Sequence, residues 1–345
     1  MKWLYRIHKF LFSSILITLV VLVGWISYHH GNNYDGHNYD GHRAVDNGVV
    51  ISNFDGDGHV LDVIYPKEPK RVLSTYPGAT ELSIALGLDP SIVATVAPYG
   101  VEPELLAESY NRIPKVQAPF VPTKEEVLSI SPDLIIGWNH HFQPNALGDV
   151  RNWHNRNVAT YVVPATVRQG HPTLESTVYP FIDDIGKIFN VESRAEAYRK
   201  SLERRVQHVQ DKVNNHLNRP TVMILQSYGN STYSVYGERY IIYDIVEKAG
   251  GKPVTENMLK AVGPERILGY DPDYIVLVMS RKTMDETEFE QSGRTLLLED
   301  SKINSLRAIQ NHHIITVDFG AVNNGNGRTV DVLEEIAAQL DKAAI

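Results

Sequence analysis

The chain has 345 residues, an ordinary charged fraction and a formal net charge of −8. It is long enough for two domains with proper cores and carries no basic footprint for nucleic acid. It contains no cysteine, which excludes disulfides, thiolate metal sites, a cysteine nucleophile and lipid attachment through an N-terminal cysteine.

Lys2, Arg6 and Lys9 precede an uncharged run of 19 residues, Phe10 to Tyr28. As a helix this run reaches ~28 Å, about one hydrocarbon core. The basic flank places the tail in the cytoplasm and the rest of the chain outside. His29-His30-Gly31-Asn32-Asn33 offers no small-residue cleavage site, so an uncleaved single-pass anchor over 1–30 is expected; a cleaved signal peptide is the alternative, and both export the protein. Residues 31–48 are mostly Gly, Asn, Asp, Tyr and His, with Tyr-Asp-Gly-His at 34–37 and again at 39–42. This composition reads as a flexible tether, whose histidines lack the rigid frame that a metal site needs.

Val49 to Ile64 reads as a hairpin about Asp55-Gly56-Asp57-Gly58. Asp55 and Asp57 resemble the start of a calcium loop, but the acidic ligand at its far end would fall near Pro66, so the segment is taken as a turn. From Arg71 strands and helices alternate. Strands are expected at 71–74, 92–96, 134–138 and 160–163, with Pro77-Gly78 as a turn and a helix from Thr80 to Leu86 that stops at Gly87. Between about 174 and 217 no strand is expected. Ser193-Arg194-Ala195-Glu196 reads as a capping box, followed at helical spacing by Ala195, Tyr198, Leu202, Val206, Val209 and Val213. Strands return at 221–226, 274–279 and 314–317. Strands interleaved with helices imply mostly parallel sheets.

Two stretches 140 positions apart repeat one pattern. Glu125-Glu126-Val127-Leu128 is followed by Pro132-Asp133-Leu134-Ile135, and Glu265-Arg266-Ile267-Leu268 by Pro272-Asp273-Tyr274-Ile275. Each reads as a short helix that ends before a proline, then a buried strand. The repeat implies two similar α/β lobes. The expected fold is α/β: two Rossmann-like lobes, 49–170 and 219–345, joined by a linking helical segment at 171–218 and preceded by the membrane helix. A long helix between lobes is a stiff spacer.

This layout resembles the substrate-binding proteins of ATP-driven importers for iron–siderophores, haem and cobalamin. The likeness rests on Pro69-Lys70-Arg71-Val72-Leu73-Ser74, Gly78-Ala79-Thr80-Glu81-Leu82, Leu86-Gly87, Ile245-Val246-Glu247-Lys248-Ala249-Gly250-Gly251, the repeat and the long helix, over roughly 49–342. The resemblance implies a cleft between lobes that move little on binding. It also implies a glutamate on each lobe that docks on permease arginines, here Glu125 and Glu265, with Glu126 competing in the first lobe.

Ligands of α/β sheets lie beyond the carboxyl ends of strands. That rule, independent of the resemblance, nominates Tyr76, Tyr99, Trp138, His140 and His141 in the first lobe. In the second it nominates Tyr228, Tyr236, Arg239, Arg281, Phe319 and Arg328. Aromatic walls suit a large chelate and arginines its carboxylates or catecholates. Adjacent histidines rarely reach one ion, and haem binders of this family often carry Tyr or Met where 117–122 here reads Gln-Ala-Pro-Phe-Val-Pro. The expected function is a membrane-anchored, monomeric extracytoplasmic receptor that delivers a ferric siderophore-type chelate to an ABC permease and its ATPase, with no cofactor or metal of its own. A haem or cobalamin receptor is the nearest alternative; an exported enzyme or a membrane sensor is the alternative from another class, and no catalytic motif supports it.

Overall fold

The computed structural model describes residues 48–341 apart from 67, 101–103, 119, 214–217, 256, 258 and 282–283. The expected anchor, and the tether up to residue 47, lie outside them. Among the described residues no helix is long and apolar enough to cross a membrane.

A hairpin of β1 (Val49–Phe54) and β2 (Val60–Tyr65) comes first, paired antiparallel. The buried Asn53 amide donates to the Val162 carbonyl at 3.0 Å and accepts the Val162 amide at 2.7 Å. One side chain thus satisfies an edge strand that would otherwise expose unpaired groups. That strand belongs to the first lobe's sheet: β3 (Val72–Ser74), β4 (Ile92–Thr95), β5 (Leu134–Gly137) and β6 (Ala159–Val162), all parallel, in the order β4-β3-β5-β6. Its helices are α1 (Pro77–Ala85), α2 (Glu104–Arg112), α3 (Lys124–Ile130) and α4 (Val150–His154). Helix α1 starts at Pro77, not at Thr80 after a turn. Proline suits the first helical position, where its missing N–H has no partner to lose.

A π-helical turn, Leu174–Val178, leads into α5 (Tyr179–Ile188), then into the long α6 (Glu192–Val213). Helix α6 buries Ala195, Leu202, Val206 and Val209. It begins at Glu192, so the expected capping box at 193–196 lies inside the helix. The second lobe follows: β7 (Thr221–Ser227), β8 (Tyr233–Val235), α7 (Ile241–Lys248), β9 (Lys252–Pro253), β10 (Leu259–Val262), α8 (Pro264–Leu268), β11 (Tyr274–Met279), α9 (Glu286–Leu298), α10 (Arg307–Gln310), β12 (Ile314–Asp318), α11 (Phe319–Asn323) and α12 (Arg328–Asp341). Its sheet order is β10-β8-β7-β11-β12, with β9 also on β7. Strands β7, β9, β11 and β12 pair in parallel, while β8 and β10 add an antiparallel edge.

The repeat has one structural cause in both lobes. Ser131 and Asp271, just before the prolines, both take a positive φ (51° and 34°); Ser131 is the left-handed C-cap of α3, whereas α8 is capped by Gly269 and Asp271 lies two residues beyond that cap. The next aspartate then staples the neighbouring central strand. Asp133 accepts the amides of Lys70 and Arg71 at 2.8 and 2.9 Å; Asp273 accepts the Thr221 amide at 2.9 Å and its hydroxyl at 2.6 Å. Each aspartate also donates its own amide to the carbonyl of that same strand start, Arg71 or Thr221.

The long helix is more than a rod between lobes. One continuous buried apolar cluster runs from Tyr76 and Leu82 through α5 and α6 to Val222, Ile224, α7 and α12. On its surface Arg205 holds Asp331 and Glu334 of α12 at 2.6 Å each.

Candidate functional site

In the first lobe the chain leaves β3 toward β4 on one side and β5 toward β6 on the other, so a crevice opens between the carboxyl ends of β3 and β5. Tyr76 and Trp138 stand there edge to face, ring centres 5.5 Å apart. Tyr99, beyond β4, lies 6.4 Å from Tyr76 and 6.2 Å from Trp138. Phe319 of the second lobe closes on Tyr99 at 5.9 Å. Four of the rings nominated by the strand-end rule therefore form one cluster across both lobes, each pair in an edge or tilted geometry that rings favour. Two more groups join it: exposed His140, edge-on to Trp138 at 4.9 Å, and exposed Phe120, 6.3 Å from Tyr99.

Beside this cluster a pocket is lined by Trp138, Ala165, Thr166 and Arg168 from the first lobe and by Tyr236, Tyr240, Ile241, Ile242, Val322, Asn323 and Gly325 from the second. It encloses about 20 Å³, room for about one water. Arg168, which the sequence reading missed, is exposed, lies 4.5 Å over the Tyr240 ring and has no carboxylate within ion-pair distance among the described residues. It sits just beyond β6, after a turn at Pro164–Thr166 whose Thr166 hydroxyl donates to the Val163 carbonyl at 2.7 Å. The strand-end rule, carried on to the fourth strand, leads to it. The Trp138 Nε1–H is buried and has no hydrogen-bond partner among the described residues. The wall thus offers a cation and an indole donor among apolar rings, and Tyr236 is held by its hydroxyl on Gln226 Oε1 at 2.7 Å.

The remaining nominated residues do other things. Tyr76 is buried, and its hydroxyl donates to the Asn323 carbonyl across the cleft. Arg328 is a tie between lobes, not a free cleft cation. Its guanidinium donates to Glu81 of α1 at 3.0 Å and to Asp318 at 3.3 Å. Glu81 is 2% exposed and also accepts the Asn324 and Asn326 amides at 2.8 and 3.0 Å. Burial pushes its pKa up, opposed by Arg328 and the two amides. The backbones touch here: a side chain on Gly78 would run into the Asn324 carbonyl, so that position requires glycine. Arg281 is also engaged, by the Met284 carbonyl at 3.0 Å and Glu286 at 2.7 Å. Tyr228 is exposed beyond β7, and Arg239 is exposed outside the pocket lining.

His141 is a core histidine. It is buried, its Nδ1 lies 2.9 Å from the Thr75 hydroxyl, and burial, with His140 adding to it, pushes its pKa down to about 3. Its folded pKa is thus depressed below the ordinary 6.5. As pH falls through that value the unfolded chain takes a proton that the folded one refuses, and stability declines until about pH 3. The expected loss is about 2 kcal/mol from about pH 6.5 to about pH 5. Urea unfolding across that range should show a shallower acid slope for His141→Asn; parallel slopes would exclude His141 as the cause.

Asp55, Asp57 and His59 carry ligand-type atoms within 4.8 Å of one another. Asp55 is already occupied by the amides of Asp57 and His59 at 2.9 Å each, with Arg151 3.6 Å away. A turn stabilised by its own backbone is the simpler account.

Residues 72–321 match the periplasmic binding protein family. The chain belongs to that family. An uncharacterized ABC transporter substrate-binding lipoprotein of Bacillus subtilis is 21% identical over 295 residues, 82% of this chain and 84% of that protein. Among solved structures, a periplasmic binding protein from Veillonella parvula has a TM-score of 0.72 at 23% identity, covering 85% of this chain and 91% of that one. An ABC-type Fe3+-hydroxamate transport protein from Saccharomonospora viridis has a TM-score of 0.67 at 22% identity, covering 84% and 98%. At such identities the likeness shows the fold of this family member; the chemistry must come from its own residues. Its two docking candidates are set alike, Glu125 second in α3 and Glu265 second in α8, both exposed. Glu126 is instead held by the Gln117 amide at 3.0 Å.

Proposed function

We propose that this periplasmic binding protein is the extracytoplasmic receptor of an ABC importer, taking a negatively charged ferric chelate between its lobes and delivering it to a permease. What supports the reading is the aromatic cluster shared by both lobes with Arg168 beside it, a guanidinium that no carboxylate of the described chain holds. With only about 20 Å³ enclosed, a chelate of several hundred Å³ rests on this wall as on a floor. Its bulk then lies in the mouth, against the exposed rings of Phe120 and His140. Arg168 thereby takes the role expected of Arg281 and Arg328.

A charge-assisted hydrogen bond contributes about 1.5–3 kcal/mol, so Arg168→Ala should weaken binding by at least about tenfold. Arg281→Ala, whose guanidinium already has partners, should change it less than about twofold. Tryptophan fluorescence titrations with ferric citrate, a ferric catecholate, a ferric hydroxamate, haemin and cobalamin test this. Binding of haemin or cobalamin alone would remove the siderophore assignment and leave the receptor. No binding of any of them would place the ligand elsewhere.

The proposed organisation is a membrane anchor at Phe10–Tyr28, a tether to residue 48 and two lobes outside the cell membrane. The Bacillus subtilis relative is described as a lipoprotein; with no cysteine, this chain cannot carry a lipid on one, and the apolar span supplies the attachment. N-terminal sequencing of the membrane-bound protein should return a chain that begins before residue 10. A start after residue 28 refutes the anchor.

A further inference from the structure

The repeat duplicates more than a glutamate. In α3 and in α8 the residue two places after Glu125 or Glu265, Val127 or Ile267, is fully buried. The residue three places after is a leucine turned outward: Leu128 is 52% exposed and Leu268 37%. Residues three apart share a helix face, so each helix shows an acid and an apolar side chain next to each other. In both copies a residue of positive φ, Ser131 or Asp271, stands directly before the proline that follows the helix. Single exposed leucines are common and mean little. An exposed leucine at the same step of both copies of a repeat, beside the exposed glutamate in each, is a patterned feature that core packing does not explain.

We infer that the docking surface of each lobe is a two-part contact, Glu125 with Leu128 and Glu265 with Leu268, and that the partner offers the complement twice: a cation beside an apolar depression, on two equivalent membrane-protein halves. The inference rests on the proposed docking role of the glutamates. Charge complementarity commits the acidic half to a cationic partner. Two like patches on one chain commit that partner to two like surfaces. The glutamates steer and register the encounter, while the leucines, desolvated on contact, slow dissociation.

A photo-crosslinking residue placed at Leu128, at Leu268 or, as control, at Leu105 (96% exposed on α2) in the full chain tests this in living cells. Positions 128 and 268 should yield adducts with the same polytopic importer permease, identified by mass spectrometry, and position 105 none. Leu128→Ser with Leu268→Ser should cut uptake of iron supplied as ferric citrate and ferric hydroxamate at least about tenfold, with ligand affinity unchanged; exposed substitutions of this kind alter stability little. Absence of adducts at 128 and 268, while reversal of both glutamates still abolishes uptake, overturns the leucine contact and leaves glutamate docking in place. If neither pair matters, glutamate docking falls with it.

Discussion

Arg328→Ala should lower stability by about 3–5 kcal/mol, because it strands a buried carboxylate. Glu81 would keep the Asn324 and Asn326 amides but lose its counter-charge. Burial already raises its pKa, so the variant's Glu81 would bind a proton more readily still. A carboxyl whose folded pKa is raised costs stability as pH climbs past its unfolded value, and that cost is absent when both states are protonated. The deficit of the variant should therefore shrink on acidification. Thermal unfolding from about pH 8 to about pH 5 measures it, and a melting temperature within a degree of wild type at pH 8 would mean that the pair does not hold the lobes.

Reversing charge at both candidate docking glutamates, Glu125→Lys with Glu265→Lys, should abolish uptake while leaving ligand affinity within about twofold. Both side chains are exposed and lie outside the residues that line the pocket. Rim charges act on encounter and registration, and two repelled contacts in place of two attracted ones leave the receptor loaded but undelivered. Normal transport by the double variant would release these residues from docking.

The strands could be read from the sequence because their β-branched apolar runs are bounded by Pro, Gly and Asp. Repeat, long helix and aromatic cluster were legible for the same reason: local pattern and strand ends suffice to place Tyr76, Tyr99, Trp138 and Phe319. What failed was the assignment of charges. An arginine beyond a strand looks the same whether it awaits a ligand or holds a carboxylate 247 residues away, as Arg328 does. His140 and His141 are neighbours in sequence, yet one is exposed against Trp138 and the other is sealed on Thr75. Only packing separates them. The second lobe's antiparallel strands β8 and β10 are short and carry too few residues for alternation to show.

The shared core also has a temporal consequence. Val330, Leu333, Ile336 and Leu340 of the last helix belong to the same buried cluster as Tyr76 and Leu82 of the first lobe, and the helix's first residue is the counter-ion of Glu81. In the folded chain the first lobe's apolar face is therefore covered in part by the final helix. The last residues to be synthesised thus complete a core that the first lobe begins.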